Sequence, residues 1–205
     1  PLRLVGSEMC IRDSSNHDVK NLEIALERMK ALGSSLLLIP GPKMIWHFSE
    51  MGMENSIFTC EDGSYGGEDC KLSTKPQPQW SDDWTFLNKR KEIYEYWSKI
   101  IELKINEPVF EGEYELKVFN QNKLLPTIGI WNDNLSGDTL KYVYVISNFD
   151  VTKKSLILNL PISGEWKDLV NNEFIDFSQN SSIELEPGTS PVSYTHLTLP
   201  TKRIV

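Results

Sequence analysis

The sequence predicts an α/β segment followed by an all-β, antiparallel module. Three observations predict it. A helical apolar stripe precedes a short apolar run, Leu36-Leu37-Leu38-Ile39, that does not alternate. A second amphipathic stretch lies further on, near residue 90. After Gly112 the pattern changes to short runs rich in β-branched and aromatic residues, separated by turn clusters.

In the first helix, Val19, Leu22, Ala25, Leu26, Met29 and Leu32 form the stripe, with Asp18 as the expected N-cap and Gly33 as the expected stop. The run 36–39, ended by Pro40-Gly41-Pro42, reads as a strand buried on both faces, as in a parallel sheet covered by helices. Residues 48–84 are rich in Gly, Pro, Ser and Asp, and loops of that length are usually functional or disordered. The second helix is expected over 88–104, with Ile93, Tyr94, Trp97, Ile100 and Ile101 on one face. Strands are expected at 114–119, 127–131, 140–148, 155–160, 164–169 and 183–186, as an antiparallel sandwich. A lone parallel-type strand leaves its backbone groups without neighbours. The first half therefore reads as the tail of a larger α/β domain.

Composition narrows the function. The chain has 205 residues, 40% apolar and 24% charged, which suits one globular unit with a real core. No run approaches 18 apolar residues, so no membrane span is expected. Net charge is −8 with no basic block in the body, which disfavours a nucleic-acid partner. The ends stand apart. Residues 4–14 and 192–205 show no period that continues into their neighbours, and both resemble conceptual translations of one sequencing-adapter element read from opposite strands. Residues 1–14 and 191–205 are thus expected to be non-native tails. Without Arg3, Arg12, Lys202, Arg203, Glu8 and Asp13 the body carries −10. The expected division is 15–111 for the α/β part and 112–190 for the β module.

With three His in all, a His-based metal cluster is excluded. Glu61, Asp62, Glu68 and Asp69 crowd one loop without EF-hand spacing, so a solvated acidic loop is expected over a calcium contact. Cys60 and Cys70, with nine residues between them, could close a loop in an oxidising compartment or remain free thiols. Asn134-Leu135-Ser136 and Asn180-Ser181-Ser182 match a glycosylation pattern that recurs by chance.

The run Pro40-Gly41-Pro42-Lys43-Met44-Ile45-Trp46-His47-Phe48-Ser49-Glu50 resembles the last-strand signature of the α-amylase family of (β/α)8-barrel glycoside hydrolases. Pro40, Gly41, Ile45 and Glu50 match the family pattern. Lys43 and Phe48 depart from it as in a Bacteroidetes-type branch, which continues with a segment like Cys70-Lys71 through Lys75-Pro76 to Trp80. Leu103-Lys104, Pro108-Val109-Phe110 and Leu185-Glu186-Pro187-Gly188 extend the likeness into the family's domain C.

This resemblance implies the last helix–strand–helix portion of a barrel followed by a domain C β-sandwich. It implies a secreted, periplasmic or cell-surface parent that cleaves α-1,4-glucosidic bonds in starch, with calcium as a possible parental cofactor. The family's retaining chemistry uses a nucleophilic Asp, a Glu acid/base and a stabilising Asp, with two carboxyls about 5–5.5 Å apart. These groups lie after strands four, five and seven, so no catalytic residue and no cofactor are expected in this chain. His17-Asp18 imitates the stabilising motif, but Asp18 abuts a helix and reads better as its cap. Trp46, His47, Lys75 and Trp80 are the candidate substrate-binding residues. Glu50 is a structural acceptor. The exposed faces of 19–32 and 36–39 are expected to favour self-association.

Overall fold

In the computed structural model, the described residues are 18, 20–46, 48–53, 58, 60, 62, 64, 66, 70, 88–118, 124–136, 139–157, 164–170, 172–177 and 182–195. Helix α1 spans Leu22–Leu37 and helix α2 spans Asn88–Asn106. Eight strands follow: β1 Glu113–Val118, β2 Pro126–Trp131, β3 Tyr142–Ile146, β4 Lys154–Ile157, β5 Gly164–Asp168, β6 Phe174–Phe177, β7 Ser182–Leu185 and β8 Val192–Thr195. Six of them form one sheet in the order β1-β2-β3-β8-β5-β6, and β4 pairs with β7. Every described pairing is antiparallel.

Three expectations about the first helix are corrected. Its N-cap is Asn21, whose side chain accepts from the Glu23 and Ile24 amides, while Asp18 accepts from the Lys20 amide one step earlier. The helix does not stop at Gly33. A Cβ at Gly33 would lie 2.3 Å from Nε1 of Trp97, so the glycine is there to let the indole lie against the helix. The run 36–39 is not a strand. Leu36 and Leu37 complete α1, and Leu37 and Leu38 are buried in the core. Burial alone does not separate a helix end from a strand over four residues. Pro40-Gly41-Pro42 then ends the helical course.

The two expected units share one core. Leu26, Leu37 and Leu38 meet Ile93, Trp97 and Ile100 of α2, and both helices pack on Ile128, Ile130, Val143 and Val145 of the sheet. Gly112 stands between the last helical turn and β1. On the sheet's other face, Ile146 and Trp166 pack with Leu156 of β4 and Leu185 of β7. Residues 192–195, expected to lie outside the fold, form β8 between β3 and β5, with Val192 fully buried. Strand β6 was also not anticipated. Residues 1–17 and 196–205 lie outside the described residues.

Polar contacts fix how the helices sit. The Trp97 indole N–H donates to the Met29 carbonyl at 2.9 Å. Arg28 donates to the Phe149 and Asp150 carbonyls at 2.6 and 3.1 Å. Ser34 pairs with the Tyr96 hydroxyl, Ser35 with Ser147, and Ser147 with Ser190, all at 2.6–2.7 Å. Burial pushes the Tyr96 pKa from 10.0 up to about 12.

Two predictions follow from this packing. Gly33→Ala should lower stability by about 1–3 kcal/mol in denaturant melts, because the new methyl meets a buried indole; at an open helix site the same change would raise it. The folded chain keeps the Tyr96 proton at a pH where the unfolded chain gives it up. The resulting stability is complete below pH 10 and is lost as pH rises through about 12. Melting temperature across that range should fall less steeply in Tyr96→Phe than in the parent chain.

Candidate functional site

The connection after α1 carries most of the predicted site. Its start is tied down by two lysines. Lys104 donates to the Leu37 and Ile39 carbonyls, and Lys43 donates to those of Pro40 and Gly41 at 3.2 and 2.8 Å. Lys104 thereby serves the carbonyl end of α1, which has no basic residue of its own in its last turn. Desolvation, with Lys43 as a neighbouring charge, lowers the Lys104 pKa.

Beyond this anchor the chain presents Met44, Ile45 and Trp46 at 89%, 40% and 46% exposure. It then closes into a 3₁₀ turn, Ser49–Met51, entered by Phe48 in the left-handed region and left through Gly52 at φ 69°. The Ser49 amide donates to the Trp46 carbonyl at 2.9 Å. The buried Arg90 guanidinium of α2 donates to the carbonyls of Met51 and Gly52 at 3.0 and 2.7 Å. A Cβ at Gly52 would meet Leu26 at 2.3 Å, so the turn lies close on α1.

Trp46 is thus an exposed indole on an anchored connection, next to two exposed apolar side chains. Glu50 lies half-buried within the 3₁₀ turn. Segment 40–53 holds no other carboxylate, so it does not supply the pair that glycoside hydrolysis uses. His47, Lys75 and Trp80 lie outside the described residues. Cys60 and Cys70 are joined as a disulfide, with Cα atoms 5.2 Å apart. Gly66 sits against it, since a Cβ there would lie 2.2 and 2.4 Å from the two sulfurs. In the same loop Asp62 accepts from the Ser64 amide and hydroxyl, which holds its pKa low. Glu61, Glu68 and Asp69 lie outside the described residues. Among the described residues no three His, Cys, Asp or Glu side chains gather as a metal site, and no helix is long and apolar enough to cross a membrane.

Sequence reasoning missed Arg90 and Lys104, which hold this connection from α2. Arg90 shares the buried face of its helix with Ile93, Trp97 and Ile100 at helical spacing. A cation on an apolar stripe was the available signal.

The chain matches no protein-family model and no curated protein. Its fold is similar to parts of several solved structures. An Anoxybacillus α-amylase aligns over 85% of this chain and 35% of its own, at 15% identity and a TM-score of 0.56. A maltogenic α-amylase from Thermotoga neapolitana aligns over 86% and 38%, at 14% identity and 0.58. A pullulanase from Anoxybacillus sp. LM18-11 aligns over 91% and 24%, at 15% identity and 0.55. This chain therefore spans well under half the length of each, and the likeness at these identities is one of fold.

Arg90→Met should keep α2 but release the carbonyls of Met51 and Gly52. Hydrogen exchange should accelerate at 49–53, and stability should fall by about 2 kcal/mol. Unchanged exchange there would mean that the turn holds itself.

Proposed function

We propose that this chain is the C-terminal portion of an α-amylase-type glycoside hydrolase, and that by itself it does not cleave glucan. Its parent hydrolyses α-1,4-glucosidic bonds of starch or malto-oligosaccharides. One observation carries this reading: the fold aligns over 85–91% of this chain with amylases and a pullulanase, yet over only 24–38% of those chains. The motif Pro40–Glu50 supports it independently, as does the single carboxylate of segment 40–53.

In this reading Trp46 offers an apolar face to a sugar ring, and His47, Lys75 and Trp80 complete a distal subsite in the parent. Glu50 acts as a structural acceptor within its turn. The catalytic carboxylates, and calcium if the parent uses it, belong to the polypeptide beyond this chain. The Cys60–Cys70 disulfide favours an oxidising, extracytoplasmic location. The faces of 19–32 and 36–39 expected to drive self-association have Leu26, Ala31, Leu37 and Leu38 buried, so the exposed run Met44–Trp46 favours it in their place.

Purified chain incubated with amylose should release no reducing sugar above buffer, while an affinity gel containing soluble starch should retard it. Measurable turnover that disappears in Asp18→Asn would overturn the assignment.

A further inference from the structure

Helix α2 turns Arg90, Ile93, Trp97 and Ile100 to the core and leaves its other side exposed. That exposed side is divided lengthwise at Ser98. At about 3.6 residues per turn, Tyr94, Ile101 and Ile105 fall on one flank. They are 53%, 37% and 77% exposed. Lys91, Glu95, Lys99 and Glu102 fall on the other flank and are all exposed. Lys91 meets Glu95 at 3.6 Å within the helix, whereas Lys99 and Glu102 have no ion-pair partner among the described residues. The Ser98 hydroxyl donates to the Tyr94 carbonyl at 2.7 Å, so it places no polar demand on the line between the flanks.

This division is self-complementary in one arrangement. Along the chain the charged flank runs Lys, Glu, Lys, Glu, and in reverse it runs Glu, Lys, Glu, Lys. A second copy of α2 laid antiparallel, with the two-fold axis near residue 97, therefore brings charged flank to charged flank with opposite signs facing. Lys91 then stands within about 1.5 Å of the level of the partner's Glu102, and Glu95 stands level with the partner's Lys99. On the other flank Tyr94 lies beside the partner's Ile101. Parallel pairing in register instead sets each flank against the other and each charge level with its like. We propose that this face of α2 is a homodimer seam, on which a second copy of the chain docks its own α2 antiparallel. The seam is distinct from the Met44–Trp46 run and does not rest on the function proposed above. Withdrawal of Tyr94, Ile101 and Ile105 from water drives the contact, and the charges set its orientation. Three apolar side chains per copy place the contact at the small end of the interface range, so the dimer is weak and forms as concentration rises.

Sedimentation equilibrium of the full chain tests the seam. Over an about hundredfold range of concentration the mass should rise from that of one chain to that of two. Ile101→Glu changes an exposed group, should leave the circular dichroism spectrum unchanged, and should raise the dimer dissociation constant about tenfold or more. Glu102→Lys should weaken association severalfold, and adding Lys91→Glu to it should restore association, because the two exchanges face each other across the seam. Met44→Ser should leave the dissociation constant unchanged. A chain that stays monomeric throughout, or association that Ile101→Glu leaves intact and Met44→Ser abolishes, would overturn the seam. Failure of Lys91→Glu to rescue Glu102→Lys would overturn the antiparallel arrangement.

Discussion

The contact of the Trp97 indole with Gly33 sets the spacing on which the rest of the molecule depends. With no side chain at position 33, α1 and α2 come close enough for the indole N–H to reach the Met29 carbonyl inside α1. A buried indole N–H without an acceptor would be costly, so this contact fixes the rotation of one helix against the other. With that rotation set, Leu37 and Leu38 fall into the core, Ser34 meets Tyr96 of α2, Ser35 meets Ser147 just beyond β3, and Arg90 points back at the turn 49–52. Surface ion pairs among Glu27, Lys30, Lys89 and Glu92 bridge the same helices. Their exposure makes them a minor addition.

A second set of polar contacts joins the helices to the sheet. Asn148 is fully buried just beyond β3. Its amide donates to the carbonyls of Thr152, Leu185 and Glu186, and its oxygen accepts from the Asp150 amide. Phe149 and Asp150 then offer their carbonyls to Arg28, so one side-chain amide organises the loop on which α1 docks. Gly188 belongs to the same construction. Its φ is +75°, and a Cβ there would press on Arg28 Cγ at 2.7 Å. The hydroxyl series Ser34–Tyr96 and Ser35–Ser147–Ser190 satisfies groups that burial would otherwise penalise.

How much of this was legible in the sequence depended on the length of each pattern. The long stripe of α2 predicted its extent to within two residues, and six strands were placed by their β-branched and aromatic runs. The run 36–39 failed because four apolar residues carry no usable period, and because the partner that makes Gly33 tolerable inside a helix lies 64 positions away. Strand β6, Phe174–Phe177, failed because a four-residue run close to other turn residues carries little pattern. Of the candidate site, the connection 40–53 was legible as a motif, whereas the hold of Arg90 and Lys104 on its carbonyls exists only once α2 packs beside α1. Such contacts are a property of packing that no single segment encodes.

Strand β8 makes the same point from the opposite direction. Its four residues join the β1-β2-β3 half of the sheet to the β5–β6 hairpin, and β5 meets it over only two residue pairs. The Ile146 amide donates to Pro191 O, and the Leu169 amide to Val192 O, so the junction is made largely by backbone. Backbone ladders accept many sequences, and Val192 is fully buried. A segment with no period that continues into its neighbours can therefore still complete a sheet when the preceding turn delivers it in register. That turn is fixed by the Gly188 and Thr189 amides, which donate to Asn148 O and Glu186 O, and by Ser190, whose carbonyl accepts from Tyr96. The position of the central strand is thus set by the residues before it more than by its own composition, and a reading of residues 192–195 in isolation had no access to that constraint.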